Sequence, residues 1–205
     1  MIAFIGLGAN LPSAFGAPQD TVCAALGALA AEVGPVVTRS RLWRTAPVPP
    51  SGQPWYVNAV AQVDTALAPA QVLVVLKALE TRFGRALGTE RNAPRALDLD
   101  LLDHGGFVLG GPSSPWEREG LGSARKGHNP PPTPPLQGRE ALGRPLQGGD
   151  DLVLPHPRMA GRAFVLYPLQ EVAPDWVHPA SGLSVRALID ALPEGQEIEV
   201  LDASA

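Results

Sequence analysis

One cysteine stands in 205 residues, so no internal disulfide can form. Cys23 falls in an apolar helical pattern and is expected as a small core residue rather than a nucleophile. No apolar run reaches the length of a membrane-spanning helix, and the apolar N-terminus lacks the basic start of a signal peptide. Charge is scarce as well: charged residues make up 18% of the chain and the net charge is −4. Without a basic surplus, nothing favours a nucleic-acid or anionic-membrane partner, and any phosphate binding must come from local arginines. These absences lead us to expect a cytoplasmic protein with neither kind of partner. Hydrophobic residues, at 45%, suffice for one domain with a true core and some embellishment.

Glycine and proline, in contrast, are abundant, at 22 and 23. Many of them gather in Pro112 to Gly148, 37 residues with eight prolines, six glycines and no helical or strand period. Asn129 to Pro135 (NPPPTPP) reads as extended or polyproline-like. Gly110-Gly111 precedes this stretch and Gly148-Gly149 closes it. Removing one copy of the pair and everything between leaves FVLGGDDLVLPHP, a plausible short hairpin connection. The expectation is a single domain, 1–205, with a disordered insertion at about 112–148. Loop-closure cost grows only logarithmically with length, so a host fold can tolerate such a segment.

The rest of the chain alternates strands and helices. Met1 to Leu7 is an apolar strand and Gly8 to Pro12 a loop. Gly6 and Gly8 suggest a dinucleotide fingerprint, but position 11 is leucine and no acid clearly ends a second strand, which excludes it. Pro18 to Val33 predicts a helix with Val22, Ala25, Leu26, Leu29 and Val33 on one stripe, stopped by Gly34-Pro35. Val36 to Thr45 reads as one strand, Ala46 to Pro54 as a Pro/Gly loop, and Trp55 to Leu67 as a strand. Pro69 to Phe83 is the clearest helix, with Leu73, Leu76, Leu79, Glu80 and Phe83 at helical spacing. Phe107 to Leu109 is expected as a short strand. Further helices are expected up to Val172 and over Leu183 to Leu192, the latter capped by Ser181 or Ser184, and a last strand over Glu197 to Leu201. With no regular βαβ repeat, this pattern fits an α+β sandwich with helices over a mainly antiparallel sheet.

The chain is organised around Arg91 to Gly106, RNAPRALDLDLLDHGG. Leu97, Leu99 and Leu101 alternate with Asp98 and Asp100, the period of a strand, in which residues two apart share a face with Cα atoms roughly 6.5–7 Å apart. The leucines can enter a core while both acids project together. Paired acids repel unless a cation or solvent lies between them. Hard divalent ions favour such ligands, and Mg²⁺ usually takes one or two carboxylates plus substrate phosphates. Arg91 and Arg95 stand just upstream. Two readings remain open from these residues alone: a metal-phosphate site, or a solvated strand face with neutralising arginines.

Six stretches then combine in order: FIGLGANL, WRTAPV, QPWYVNA, ALETRFGR, PRALDLDLLDHGG and LPHPRMAGRAFVLYPLQEVAPDW. Together they resemble the 6-hydroxymethyl-7,8-dihydropterin pyrophosphokinase family over Met1 to Gly110 and Gly149 to about Leu192. The resemblance implies a ferredoxin-like core in three α-β-α layers. It implies transfer of pyrophosphate from ATP to the pterin's hydroxymethyl oxygen with release of AMP, in folate biosynthesis; a monomer is expected. Two Mg²⁺ would be held by Asp98 and Asp100. The nucleotide and its phosphates would meet Glu80, Arg85, Arg95, His156 and Arg162, with Arg85 and Arg95 also serving catalysis beside the two aspartates. The pterin would meet Thr45, Val48, Tyr56, Asn58 and Phe164. Blander readings stand beside these: Arg85 at a helix C-terminus, Glu80 on a helix surface, His156 in a turn between prolines, and Tyr56 or Phe164 in the core. Asn92 and Ala93 depart from the family's Trp-Gly, and Leu87 and Asp151 from further arginines in some members, so these positions receive no role. The rivals are another Mg²⁺-dependent nucleotide enzyme and a ferredoxin-like binding module without activity.

Overall fold

The computed structural model describes residues 1–85, 94–110 and 152–201. Arg91, Asn92, Ala93, Leu87, Asp151 and the 112–148 segment lie outside the described residues. The elements run β1 (Ile2–Ala9), α1 (Pro18–Glu32), β2 (Val36–Arg39), β3 (Trp43–Thr45), β4 (Tyr56–Asp64), α2 (Pro69–Arg82) and β5 (Asp98–His104). A 3₁₀ turn (Met159–Gly161), α3 (Ala163–Val172), α4 (Val185–Asp190) and β6 (Ile198–Val200) follow. All strand pairs are antiparallel, in the order β5-β1-β4-β3-β6, with β2 also on β4.

Alternation along the strands builds the three layers. Ala3, Ile5, Leu7 and Ala9 of β1, the odd residues Val57 to Val63 of β4, and Leu99 and Leu101 of β5 pack with α1 and α2. On the other face, Phe4, Val60 and Leu102 pack with Met159, Val165, Leu166 and Leu169, and with Val185 and Leu188 of α4. This is the expected α+β, α-β-α arrangement. Among the described residues no helix is long and apolar enough to cross a membrane.

Several boundaries differ from the sequence pattern for physical reasons. The strand expected over Val36 to Thr45 breaks at Ser40, whose hydroxyl takes the Val60 N–H (3.0 Å) and donates to Arg41 O (2.7 Å). Gly8 and Ala9 belong to β1 rather than to a loop, because both are paired on β4. The strand expected at Phe107 to Leu109 shrinks to one bridge, Leu109 to Leu154, with N–H···O distances of 3.0 and 2.8 Å. Cys23 is exposed rather than buried: it follows buried Val22 and so turns off the helix's apolar stripe. Ser184 is the cap of α4, accepting from Ala187 N at 3.2 Å.

Among the described residues β5 is an edge strand, and its open edge is covered by side-chain and loop groups. Glu80 of α2, only 4% exposed, accepts the Leu99 N–H at 2.8 Å. Leu102 O accepts the His156 N–H at 2.8 Å. The other Glu80 oxygen takes the Arg85 guanidinium, so one buried acid fastens both the strand and an arginine beside it. Burial, then the Asp98 charge, pushes the Glu80 carboxyl up to about 7, against the Leu99 N–H and Arg85, which pull it down. A carboxyl that holds its proton more tightly when folded stabilises below its ordinary 4.5, and that contribution is lost as pH rises through 7. Wild-type protein is therefore expected to lose up to ~3 kcal/mol from this group between pH 5 and 8. Urea unfolding of Glu80→Gln at both pH values should show that loss removed; equal pH slopes in the two proteins would contradict the assignment.

Candidate active site

The site begins with two residues that lack side chains. Phe4, Gly6 and Gly8 share the α3-facing side of β1, and at Gly6 and Gly8 the sheet surface is bare backbone. Gly6 is paired with Val60 and Asp100, and Gly8 with Asn58 and Asp98. A Cβ on Gly8 would lie 3.0 Å from Asn58 Oδ1, so the glycine makes room for that amide. Above this floor opens a cleft of about 610 Å³. All twelve residues named from sequence line it.

One side carries the charges. Arg95 Nη1 lies 2.7 Å and Arg85 Nη1 3.4 Å from Asp98 Oδ1. Arg162 Nη1 lies 3.8 Å from Asp100 Oδ2, and His156 Nε2 3.8 Å from Asp100 Oδ1. Each aspartate thus has its own basic neighbours. Burial and then the Asp98 charge push the Asp100 carboxyl up, against His156, Arg162 and Arg158. Burial lowers the His156 ring, as do Arg162 and Arg158, while Asp100 opposes them. His156 Nδ1 accepts the Arg158 N–H at 3.3 Å, which leaves Nε2 as the protonated nitrogen of the neutral ring, facing Asp100. Burial would depress Arg95, but its bond to Asp98 holds it above its ordinary value. Arg162 is lowered by burial and by Arg158.

The other side is flat and amphipathic. Thr45 and Asn58 are buried, and Asn58 Nδ2 donates to Thr45 Oγ1 at 2.8 Å, which fixes the amide and leaves Oδ1 as its acceptor over Gly8. Tyr56 donates its hydroxyl proton to Gln53 Oε1 at 3.2 Å, and burial raises its pKa, so it is a neutral phenol. Phe164, from the first turn of α3, lies under the Arg162 guanidinium at 5.3 Å. Val48, in the loop, is 50% exposed in the cleft wall. The burial of Glu80 rules out its surface reading, and both its oxygens are engaged within the protein.

Sequence reasoning missed the residues that hold this frame. Asn10, 2% exposed, accepts the Arg95 N–H at 2.8 Å and donates to Gln53 Oε1 and Pro54 O, both at 3.3 Å. Its amide joins the loop over the flat wall to the arm carrying Arg95. The available signal was a lone asparagine ending an apolar strand in GANL. Lys77 and Arg158 also line the cleft. Arg158, two residues beyond His156 in LPHPR, was visible as a further cation near the acids.

The donor set fits a hard divalent cation. Two carboxylates on one strand face repel each other, and their oxygens suit Mg²⁺. Among the described residues no group of three or more His, Cys, Asp or Glu side chains is placed to hold a metal, so the remaining ligands would be water and phosphate oxygens.

Comparison with known proteins agrees with this geometry. The family model for 7,8-dihydro-6-hydroxymethylpterin-pyrophosphokinase (HPPK) matches residues 4–174. A 2-amino-4-hydroxy-6-hydroxymethyldihydropteridine pyrophosphokinase of Pseudomonas aeruginosa is 34% identical over 198 residues, 95% of this chain and 94% of that one. A protein of the same name from Synechocystis sp. is 33% identical over 188 residues, 92% of this chain and 74% of that one. Among solved structures, an HPPK-DHPS in complex with substrates matches with a TM-score of 0.59 at 12% identity, over 93% of this chain and 45% of that one. Plasmodium falciparum HPPK-DHPS matches with a TM-score of 0.57 at 12% identity, over 93% and 42%. The chain thus spans less than half the length of these two solved chains, and that likeness carries the fold alone. A family match from residue 4 to residue 174, joined to relatives matched over most of their own length, means that this chain belongs to the 7,8-dihydro-6-hydroxymethylpterin-pyrophosphokinase family.

Proposed function

We propose that this protein transfers the terminal pyrophosphoryl group of ATP to the hydroxymethyl oxygen of 6-hydroxymethyl-7,8-dihydropterin, releasing AMP, in folate biosynthesis. The observation that carries this reading is the division of one cleft into an acidic-cationic side around Asp98 and Asp100 and a flat polar-aromatic side around Asn58, Tyr56 and Phe164. Arg85 and Arg95 bind the triphosphate near Asp98, and Arg162 and His156 bind it near Asp100. Guanidinium forks suit phosphate oxygens better than ammonium point charges do. Asp98 and Asp100 would hold two Mg²⁺, which would neutralise the triphosphate and the charge that builds on its oxygens. Phosphoryl transfer depends chiefly on positioning and electrostatics, so no protein nucleophile is needed.

Tyr56, Val48 and Phe164 give the pterin its apolar walls, and Thr45 and Asn58 read its amide edge. With one Nδ2 hydrogen given to Thr45 and the amide so oriented, Asn58 offers Oδ1 to a ring N–H or amino group. Glu80 holds Arg85 and β5 in place and borders the nucleotide. The enzyme is proposed to act as a monomer. Its supply of ATP and Mg²⁺ points to the cytoplasm. The antiparallel bridge between Leu109 and Leu154 supports reading the chain as one domain interrupted at about 112–148.

Two measurements test this reading. Protein given ATP, Mg²⁺ and 6-hydroxymethyl-7,8-dihydropterin should release one AMP per pterin consumed, and Asp98→Ala with Asp100→Ala should lower kcat by about 10³-fold or more. A folded protein that releases no AMP would overturn the function. Gly8→Ala places a methyl 3.0 Å from Asn58 Oδ1, and is expected to raise the pterin KM about tenfold while leaving the ATP KM within about twofold. Equal changes in both constants would contradict the assignment of the two walls.

A further inference from the structure

The strand that ends the described chain reaches the site from outside. β6 pairs with β3 through Thr45↔Ile198, Arg44↔Glu199 and Trp43↔Val200, and Glu197 O accepts the Ala46 N–H at 3.1 Å. Gln196, just before this strand, is therefore held by the sheet at the wall that carries Thr45. Its side chain reaches the start of α3. There Oε1 accepts the Ala163 N–H at 2.9 Å and Nε2 donates to Gly161 O at 3.1 Å. These are the peptide groups on either side of Arg162.

The bonds have a clear physical purpose. Ala163 is the first residue of α3, and the first N–H groups of a helix have no partner inside it. Gly161 ends the 3₁₀ turn, and Arg162 between them is extended, with φ −120° and ψ 111°. One carboxamide that grips both flanking peptide units restrains rotation about the Arg162 backbone. That rotation would swing the guanidinium away from Asp100, 3.8 Å off, and from the Phe164 ring. Gln196 itself does not line the cleft.

We propose that Gln196 is a positioning residue for this enzyme: its amide clasps the peptide groups flanking Arg162 and so aims that guanidinium at the phosphate side of the cleft. The proposal rests on the assignment of Arg162 to the nucleotide phosphates. It ties the C-terminal strand to the reacting centre, and a single side chain bridges the wall bearing Thr45 to the wall bearing Arg162 and Phe164.

The test is a double-mutant cycle in the full-length protein, read both as kcat/KM for ATP and as affinity for a non-hydrolysable ATP analogue with Mg²⁺. Gln196→Met preserves length and removes both hydrogen bonds, and is expected to lower kcat/KM about tenfold while the melting transition falls by only a few degrees. In an Arg162→Lys background the same substitution should cost less than about twofold, because the group being aimed is gone. Equal losses in the two backgrounds, or no loss from Gln196→Met alone, would overturn the proposal. Should Gln196→Met fail to fold, Gln196→Glu carries the same cycle: it keeps the bond from Ala163 N–H and loses the one to Gly161 O. If the wild-type protein made no AMP, the function would fall, while the affinity cycle would still judge the clasp. If Arg162→Lys alone changed nothing, the role of Arg162 and this proposal would fall together, leaving the turnover itself standing.

Discussion

The structure depends on a strand that must face two environments at once. Along β5, Leu99 and Leu101 are buried under α1 and α2, while Asp98 and Asp100 rise on the other side over Gly8 and Gly6. A slip of one residue would send both acids into the apolar layer and both leucines into the cleft. Each buried leucine contributes about 1.5–3 kcal/mol, and an unpaired buried carboxylate costs several more, so the register is strongly determined. The same register places like charges side by side. That repulsion is acceptable only because arginines, and by our proposal metal and phosphate, answer it. Core packing thus fixes the position of groups that electrostatics alone would drive apart.

Supports for this arrangement are mainly bonds made to backbone groups. Glu80 holds the open edge of β5 and Arg85. Asn10 holds the Arg95 peptide, and the His156 N–H is bonded to Leu102 O. In each case a backbone group that would otherwise be unsatisfied at a strand edge or arm is bonded by, or belongs to, a residue beside the two aspartates. Satisfying buried polar groups and aiming the site are the same set of bonds. This explains how a cleft with several cations and three acids, one of them buried, can stay ordered around a space that must open to substrate.

Much of the architecture was legible from period and punctuation. Pro18 and Pro69 marked helix starts, Gly34 and Gly84 marked stops, and alternation in LDLDLL exposed the face of the aspartates. The stripe from Val22 to Val33 packed as read. What escaped were features that depend on distant partners. Ser40 breaks a strand only because Val60 is beside it, and Cys23 sits in an apolar stretch but turns outward. The site residues were legible as motif positions, yet their pairing was not: nothing local says that Arg95 meets Asp98 while Arg162 meets Asp100. Asn10 and Gln196 were invisible for the same reason, since each binds backbone groups more than 30 residues away. The glycines at 6 and 8, set aside as an incomplete fingerprint, proved to be the bare floor of the cleft.

The central claim is that Asp98 and Asp100 act as a pair that couples metal to triphosphate. Isothermal titration of a non-hydrolysable ATP analogue into the wild-type protein and into Asp98→Asn with Asp100→Asn, each with and without Mg²⁺, tests it most directly. The account predicts that Mg²⁺ strengthens binding to the wild type by about tenfold or more, and that the doubly substituted protein loses this dependence while binding the metal-free analogue at least as well, since two negative charges have gone. Mg²⁺ enhancement of equal size in both proteins would contradict it.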